Sequence, residues 1–225
     1  EIWATSEARG WSNLYLSLQL EGQFAGEFSA LPHHLLVVAL GPPAEVLLQV
    51  DGAEWRATMR GGESVLFPGG SSFSVELRDR TFETAHLYLH QRFLAAVATE
   101  LCGDRDVRLE VMPRVVVRDP QLELPVRALA GGLLDGGECS ILYADCLAHA
   151  LAVRLVETYS DREQGGPPRA PRETLAPTRR IDPRLRRAAD YLRDNLAAAI
   201  DLTTLARVAN LTPVYFARRF KLAFG

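Results

Sequence analysis

Between residues 13 and 90 apolar and polar positions alternate in short runs. In NLYLSLQL (13–20), Leu14, Leu16, Leu18 and Leu20 fall on one face of an extended chain. HHLLVVAL (33–40) is a continuous apolar run, short enough for a strand buried on both sides. EVLLQV, then Asp51-Gly52, then AEWRATMR predicts a hairpin, because Asp-Gly supplies the positive φ angles of a tight primed turn. Gly61-Gly62 turns the chain into ESVLF, and Pro68-Gly69-Gly70 turns it into SFSVEL. FETAHLYLH (82–90) closes the set. Short strands with turn signals at close spacing predict a sandwich or barrel.

Past residue 90 the period lengthens. RFLAAVATEL (92–101) reads as a helix, and a second lies within 120–135, its limits obscured by Pro125 and Gly131-Gly132. A third is predicted over 140–159 with Ser140 as N-cap. On it Ile141, Ala144, Leu147, Ala148, Leu151, Leu155 and Tyr159 form one stripe, yet Leu142, Cys146, Ala150 and Val153 make the other side apolar too. A helix apolar on two sides is buried on two sides. One side covers its own domain and the other is expected to meet a second subunit. The chain is therefore expected to be a homodimer, with Leu151 and Leu155 as the interface candidates.

DREQGGPPRAPRETLAPTRR (161–180) carries four prolines, two glycines and eight charges, too little apolar surface to pack. It reads as a linker over 161–181, between a domain of residues 1–160 and a helical segment of residues 182–225. Charge sharpens that division. From Asp182 onward eight cations face four anions, +4; the whole chain is −3, so the first 181 residues carry −7. A basic tail on an acidic body suggests that the tail meets phosphate. Cys102, Cys139 and Cys146 form no CxxC pair, which fits buried thiols in a reducing cytoplasm. No apolar run approaches the ~20 residues of a membrane span. The first residues lack the basic and apolar regions of a signal peptide. The expected setting is cytoplasmic, without a membrane partner.

After the linker, Leu185, Ala188, Ala189, Leu192 and Leu196 mark one helix face, and Leu202, Leu205 and Ala206 the next, capped by Asp201. A tight turn is expected at Asn210, which tolerates left-handed backbone. Thr212 caps the last helix and Pro213 stands at its first position. At 100° per residue Phe216, Phe220 and Ala223 face inward. Val214, Ala217, Arg218 and Lys221 form an opposite strip of small residues and cations, able to enter a major groove.

LRRAADYLRDNL…IDLTTLARVANLTPVYFARRFKLAFG resembles the first helix-turn-helix of AraC/XylS-type bacterial transcription regulators. The matching positions are Leu205-Ala206, a turn residue four on, then Thr212-Pro213, Tyr215-Phe216, Arg218, Phe220-Lys221 and Gly225; Asn210 stands where the family usually has glycine. By this resemblance Val214, Ala217 and Arg218 would face bases, and Arg218 would be the strong reader. Lys221 would meet phosphate. The family's DNA-binding domain continues into a second helix-turn-helix. The chain is therefore expected to be cut short, and to bind double-stranded DNA specifically only with that second unit.

Such regulators commonly carry an N-terminal cupin-like barrel that binds an effector. Gly62, Pro68, Gly70 and Phe73 resemble the second cupin motif, but Phe73 and Leu77 stand where metal-dependent cupins have His and Asn. His33-His34 are adjacent rather than spaced as His-x-His. The metal set is missing at several positions, so no metal or other cofactor and no catalytic residue is expected. His86, Tyr88 and His90 share one strand face. They could line a ligand pocket or ligate a metal, or form an outer face packed beneath a helix. Tyr15, His33 and Trp55 are open to the same readings. The expected fold is α+β: a cupin-like β-barrel with accessory helices, plus a small all-α helix-turn-helix segment. The expected function is DNA-binding regulation by a small-molecule effector. The alternative is a metal-free cupin-like enzyme with a vestigial helical tail.

Overall fold

Alternation along β2 (Leu14–Glu21) sets the two faces of the main sheet. Leu14, Leu16 and Leu18 enter one core cluster. Tyr15, Ser17, Gln19 and Glu21 take the other face, as alternate side chains on a strand must. β9 (Phe82–His90) runs antiparallel beside it, with Tyr15 opposite Tyr88 and Leu16 opposite Leu87. β4 (His33–Ala39) pairs with the far edge of β9, and β7 (Glu63–Phe67) pairs with β4. β1 (Ile2–Thr5) and β11 (Arg114–Arg118) complete a six-stranded sheet of order β1-β2-β9-β4-β7-β11. The continuous apolar run of β4 is explained by this place: strands flank it on both edges, and both its faces are covered.

A second sheet contains β3 (Phe24–Phe28), β8 (Phe73–Leu77), β5 (Ala44–Val50) and β6 (Ala53–Met59), in the order β3-β8-β5-β6. The turn from β5 to β6 has φ of 49° at Asp51 and 83° at Gly52, the positive pair expected of Asp-Gly. The computed structural model describes residues 1–79, 81–103, 109–134, 140–162, 183–194, 200–213, 216–217 and 220–221. The expected α+β class holds.

Three helices cover the leucine face of the six-stranded sheet. They are α1 (Gln91–Cys102), α2 (Pro120–Leu134) and α3 (Ile141–Thr158). Leu94, Val97, Val126, Leu129, Leu151 and Leu155 join the strand leucines in one cluster. Each fully buried aliphatic side chain contributes about 1.5–3 kcal/mol. Buried Asp119 ties two of these helices together. Its Oδ1 accepts from the Gln121 N–H at 3.0 Å at the start of α2. Its Oδ2 accepts from Arg154 Nε at 2.8 Å and from the Tyr159 hydroxyl at 2.6 Å. Burial, and then the bond to Asp119, raise the Tyr159 phenol pKa, so it stays a donor. Ser140 caps α3 through the Tyr143 N–H, as expected.

Helix α3 corrects one expectation. Leu151 and Leu155 are fully buried in the chain's own core, so they have no surface left for a partner. The inner stripe took them. Leu142, Cys146 and Ala150 are the side left exposed, with Leu142 74% accessible. Ile141, grouped by periodicity with Leu151 and Leu155, is exposed in the first turn.

Short strands β10 (Leu109–Val111) and β12 (Ser160–Arg162) pair with each other, so residues 161 and 162 belong to a strand. The rest of the expected linker, 163–181, lies outside the described residues. Residues 1–50 and 55–176 cluster as one unit; 51–54 and 177–225 form the other. In the latter, α4 (Pro183–Asp194) and α5 (Leu202–Val208) share a core of Leu185, Ala188, Leu205, Ala206, Ala209 and Phe216. Asp201 caps α5 through the Thr204 N–H at 2.7 Å. Asn210 takes φ of 53°, the left-handed turn expected there.

His34 generates a pH prediction. It is buried on β4, and its Nδ1 accepts the Gly69 N–H at 3.0 Å. Burial, then the neighbouring His33, lower its pKa to about 4. Between pH 4 and 6.5 the unfolded chain therefore holds more protons on this residue. Its contribution is complete above pH 6.5 and is lost as pH falls, up to about 3 kcal/mol. In urea unfolding between pH 7 and 5, His34→Asn should show a flatter pH dependence than the parent. Equal slopes would refute the assignment.

Candidate functional site

The second face of the six-stranded sheet looks onto the four-stranded sheet, and the side chains between them leave a cavity of about 120 Å³. That is below the ~300 Å³ at which drug-sized pockets begin, and close to the ~150 Å³ apolar cavity known to take benzene. Its walls are mostly apolar, with Leu35, Val37 and Phe67 from one sheet and Leu48, Val75 and Leu77 from the other. Phe67 and Phe73 stack with centroids 4.2 Å apart at 27°, and Phe73 and Phe28 at 5.0 Å and 19°. Phe67 and Phe73 are buried while Phe28 is exposed, so the stack runs from interior to surface.

Three polar side chains interrupt this lining: Glu21, His86 and Tyr88. His86 Nε2 lies 2.7 Å from Glu21 Oε1, and the Thr84 hydroxyl donates to the same oxygen at 2.9 Å. Burial alone would raise the Glu21 carboxyl. The hydrogen bond and charge of His86, with Thr84, outweigh it and hold the pKa below the ordinary range. Glu21 is thus an ionised, acceptor-only group at neutral pH. Burial, then Tyr15 and Glu21, raise the Tyr88 phenol, which stays protonated.

Of the effector candidates, His86 and Tyr88 line the cavity. The alternative placement beneath a helix belongs instead to Ala85, Leu87 and Leu89, on the opposite face of β9. Tyr15 does not line the cavity but packs its ring 5.8 Å from Tyr88. His33 and His90 pair with each other on the strands next to Leu35 and Tyr88, Nδ1 to Nδ1 at 3.2 Å. Trp55 is buried on β6 and is not part of the lining. Glu21 was missed by sequence reasoning. The period of two that links Tyr15, Ser17 and Gln19 continues to it and could have found it.

Phe73 and Leu77, at the positions where the cupin motif carries metal ligands, both form cavity wall and offer no ligand atom. Among the described residues no three His, Cys, Asp or Glu side chains are grouped to hold a metal ion. No helix among them is long and apolar enough to cross a membrane. In the helical unit, residues 213, 216–217 and 220–221 are helical. Phe216 is buried, with Phe220 packed at 5.1 Å between ring centroids. Ala217 is half-buried and Lys221 exposed. Val214 and Arg218 lie outside the described residues.

No protein-family profile matches the chain. None of the curated proteins matches it either. Among solved structures, the AraC-like transcriptional activator CuxR superposes with a TM-score of 0.48 at 14% identity, over 100% of this chain and 74% of that one. A single-site mutant of Bacillus subtilis oxalate decarboxylase OxdC gives 0.33 at 16% identity, over 42% and 26%. The DMSP lyase DddQ from Ruegeria pomeroyi gives 0.30 at 19% identity, over 35% and 39%. At these identities the similarities carry no information on ligand, reaction or DNA.

His86→Leu should expose what holds Glu21 ionised. Without His86, burial dominates and the Glu21 pKa moves above its ordinary value. In the parent the Glu21 contribution is complete above about 4.5, where the unfolded carboxyl titrates, and is lost as pH falls through the lowered folded value. The variant should instead lose stability as pH rises through the raised value, with a deficit of about 1–3 kcal/mol at pH 7. Unfolding free energies at pH 4 and 7 check this, and parallel profiles would contradict it.

Proposed function

We propose that this chain is a cytoplasmic transcription regulator controlled by a small molecule. In this reading residues 13–90 hold the effector in the cavity, and residues 182–225 contact double-stranded DNA. The observation that carries it is the cavity itself. A core built for stability alone is packed to crystal-like density, whereas here an unfilled, mostly apolar space is lined in part by a largely buried Glu21–His86 pair. The left-handed turn at Asn210 between α5 and the helix of Phe216 supports the DNA-binding half. On that helix Arg218 would read a guanine edge, Val214 and Ala217 would allow close approach, and Lys221 would neutralise phosphate.

The reading needs no cofactor and no catalytic residue. One observation favours the enzyme alternative: an imidazole 2.7 Å from a carboxylate, which is how a general base is oriented. Catalytic turnover of a small molecule by the barrel unit would decide for it. A homodimer fits the regulator, and the exposed side of α3 at Leu142, Cys146 and Ala150 is the surface we assign to it. In sedimentation, Leu142→Glu should give a folded monomer and Leu151→Glu an unfolded or insoluble chain. A folded dimer of the Leu142 variant would exclude this surface.

DNA binding is tested on the last helix. In a chain carrying two helix-turn-helix units, Arg218→Ala should relax preference at one base position per half-site, by about 1–3 kcal/mol. Lys221→Ala should weaken all sequences alike and lower the salt slope by about 1. Anisotropy titrations across salt and operator variants measure both. Unchanged affinity and preference in the Arg218 variant would remove this helix from the groove.

A further inference from the structure

The cavity's small volume and its few polar side chains together restrict what it can hold, and the restriction rests on the effector reading above. Both hydrogen bonds to the Glu21 carboxylate fall on Oε1. Oε2 has no hydrogen-bond partner among the described residues and remains an acceptor in a cavity-lining side chain. Phe67, Phe73 and Phe28, stacked with near-parallel rings, give the cavity an aromatic wall.

Edge strand β3 adds a second feature. It places Phe24, Gly26 and Phe28 on one face, and both phenylalanines line the cavity. Gly26 has no positive φ, so its backbone does not require glycine. A Cβ there would stand 3.3 Å from the Phe28 ring and 3.7 Å from that of Phe24. The missing side chain lets the Phe28 ring, with Phe24 beside it, close directly over the strand, so a larger residue there would push these cavity-lining rings. A glycine inside a strand often marks such a close approach.

We propose that the cavity takes a compact single-ring aromatic bearing one hydrogen-bond donor, an amine or a hydroxyl. The ring lies against the phenylalanine wall, and the donor bonds Glu21 Oε2. An anionic substituent is excluded, because the carboxylate would face it across a poorly solvated space.

Isothermal titration calorimetry on the 225-residue chain with benzylamine, phenol and benzoate tests this. Benzylamine and phenol should bind, and benzoate should bind at least tenfold more weakly than benzylamine. Glu21→Gln keeps the shape and should weaken benzylamine by about tenfold or more, the usual worth of a bond to a charged group. Gly26→Val, a substitution strands favour, should weaken both binding probes, and circular dichroism confirms that each variant is folded. Benzoate binding as tightly as benzylamine, or Glu21→Gln leaving benzylamine unaffected, overturns the ligand class. If the aromatic probes fail while 1-hexanol binds and Gly26→Val abolishes it, this inference falls and the effector reading stands. If nothing binds, both fall.

Discussion

The six-stranded sheet has two faces, both turned away from water, and they must be different. Side chains on a strand alternate with a period of two, so one register decides everything. Leu14, Leu16 and Leu18 on one side commit Tyr15, Ser17, Gln19 and Glu21 to the other. Pairing with β9 carries the choice across, sending Ala85, Leu87 and Leu89 under the helices and His86 and Tyr88 toward the cavity. A slip of one residue would place a carboxylate and an imidazole among leucines, at a cost of several kcal/mol per buried ion. The helices are held to the leucine face by packing and by Asp119. The cavity face is thus what remains once the leucine face is satisfied.

That remaining face is neither a packed core nor an open surface. Its polar groups are few and partnered: Glu21 by His86 and Thr84, and Tyr88 beside Tyr15. A largely buried carboxylate held ionised by His86 and Thr84 sets the cavity's electrostatic preference. Phenylalanines supply the rest as dispersion and area. Discrimination by charge and by ring shape can then come from different residues of one small site.

Much of this was legible in the chain. The seven main strands between residues 14 and 90, apart from β3, follow from alternation and turn residues, because burial on both sides makes register costly to lose. Ser140, Asp201 and Asn210 act as caps and turn as their chemistry predicts. Edge elements escaped notice: β1 and β3 are short and largely exposed, so no burial pattern marks them. In β11, Val116 takes φ of 49° where the register with β7 shifts, a bulge that interrupts alternation. Leu151 and Leu155 were assigned outward because a helix with two apolar sides does not announce which side its own domain will use. Trp55 and His33 show that an aromatic on an inward strand still misses a cavity only a few residues long. Glu21 was overlooked because acids at strand ends usually face water.

In the proposed function an occupant of the cavity alters DNA binding by the helical unit, and thermodynamic linkage makes this measurable. If the two sites are coupled, each ligand changes the other's affinity by the same factor. The most direct test is the DNA affinity of the chain at fixed salt, with and without saturating benzylamine, alongside the benzylamine affinity with and without saturating DNA. The account predicts two equal factors, in the range of about 5–150 typical of allosteric coupling. Benzylamine bound in the cavity with both factors equal to one would contradict it.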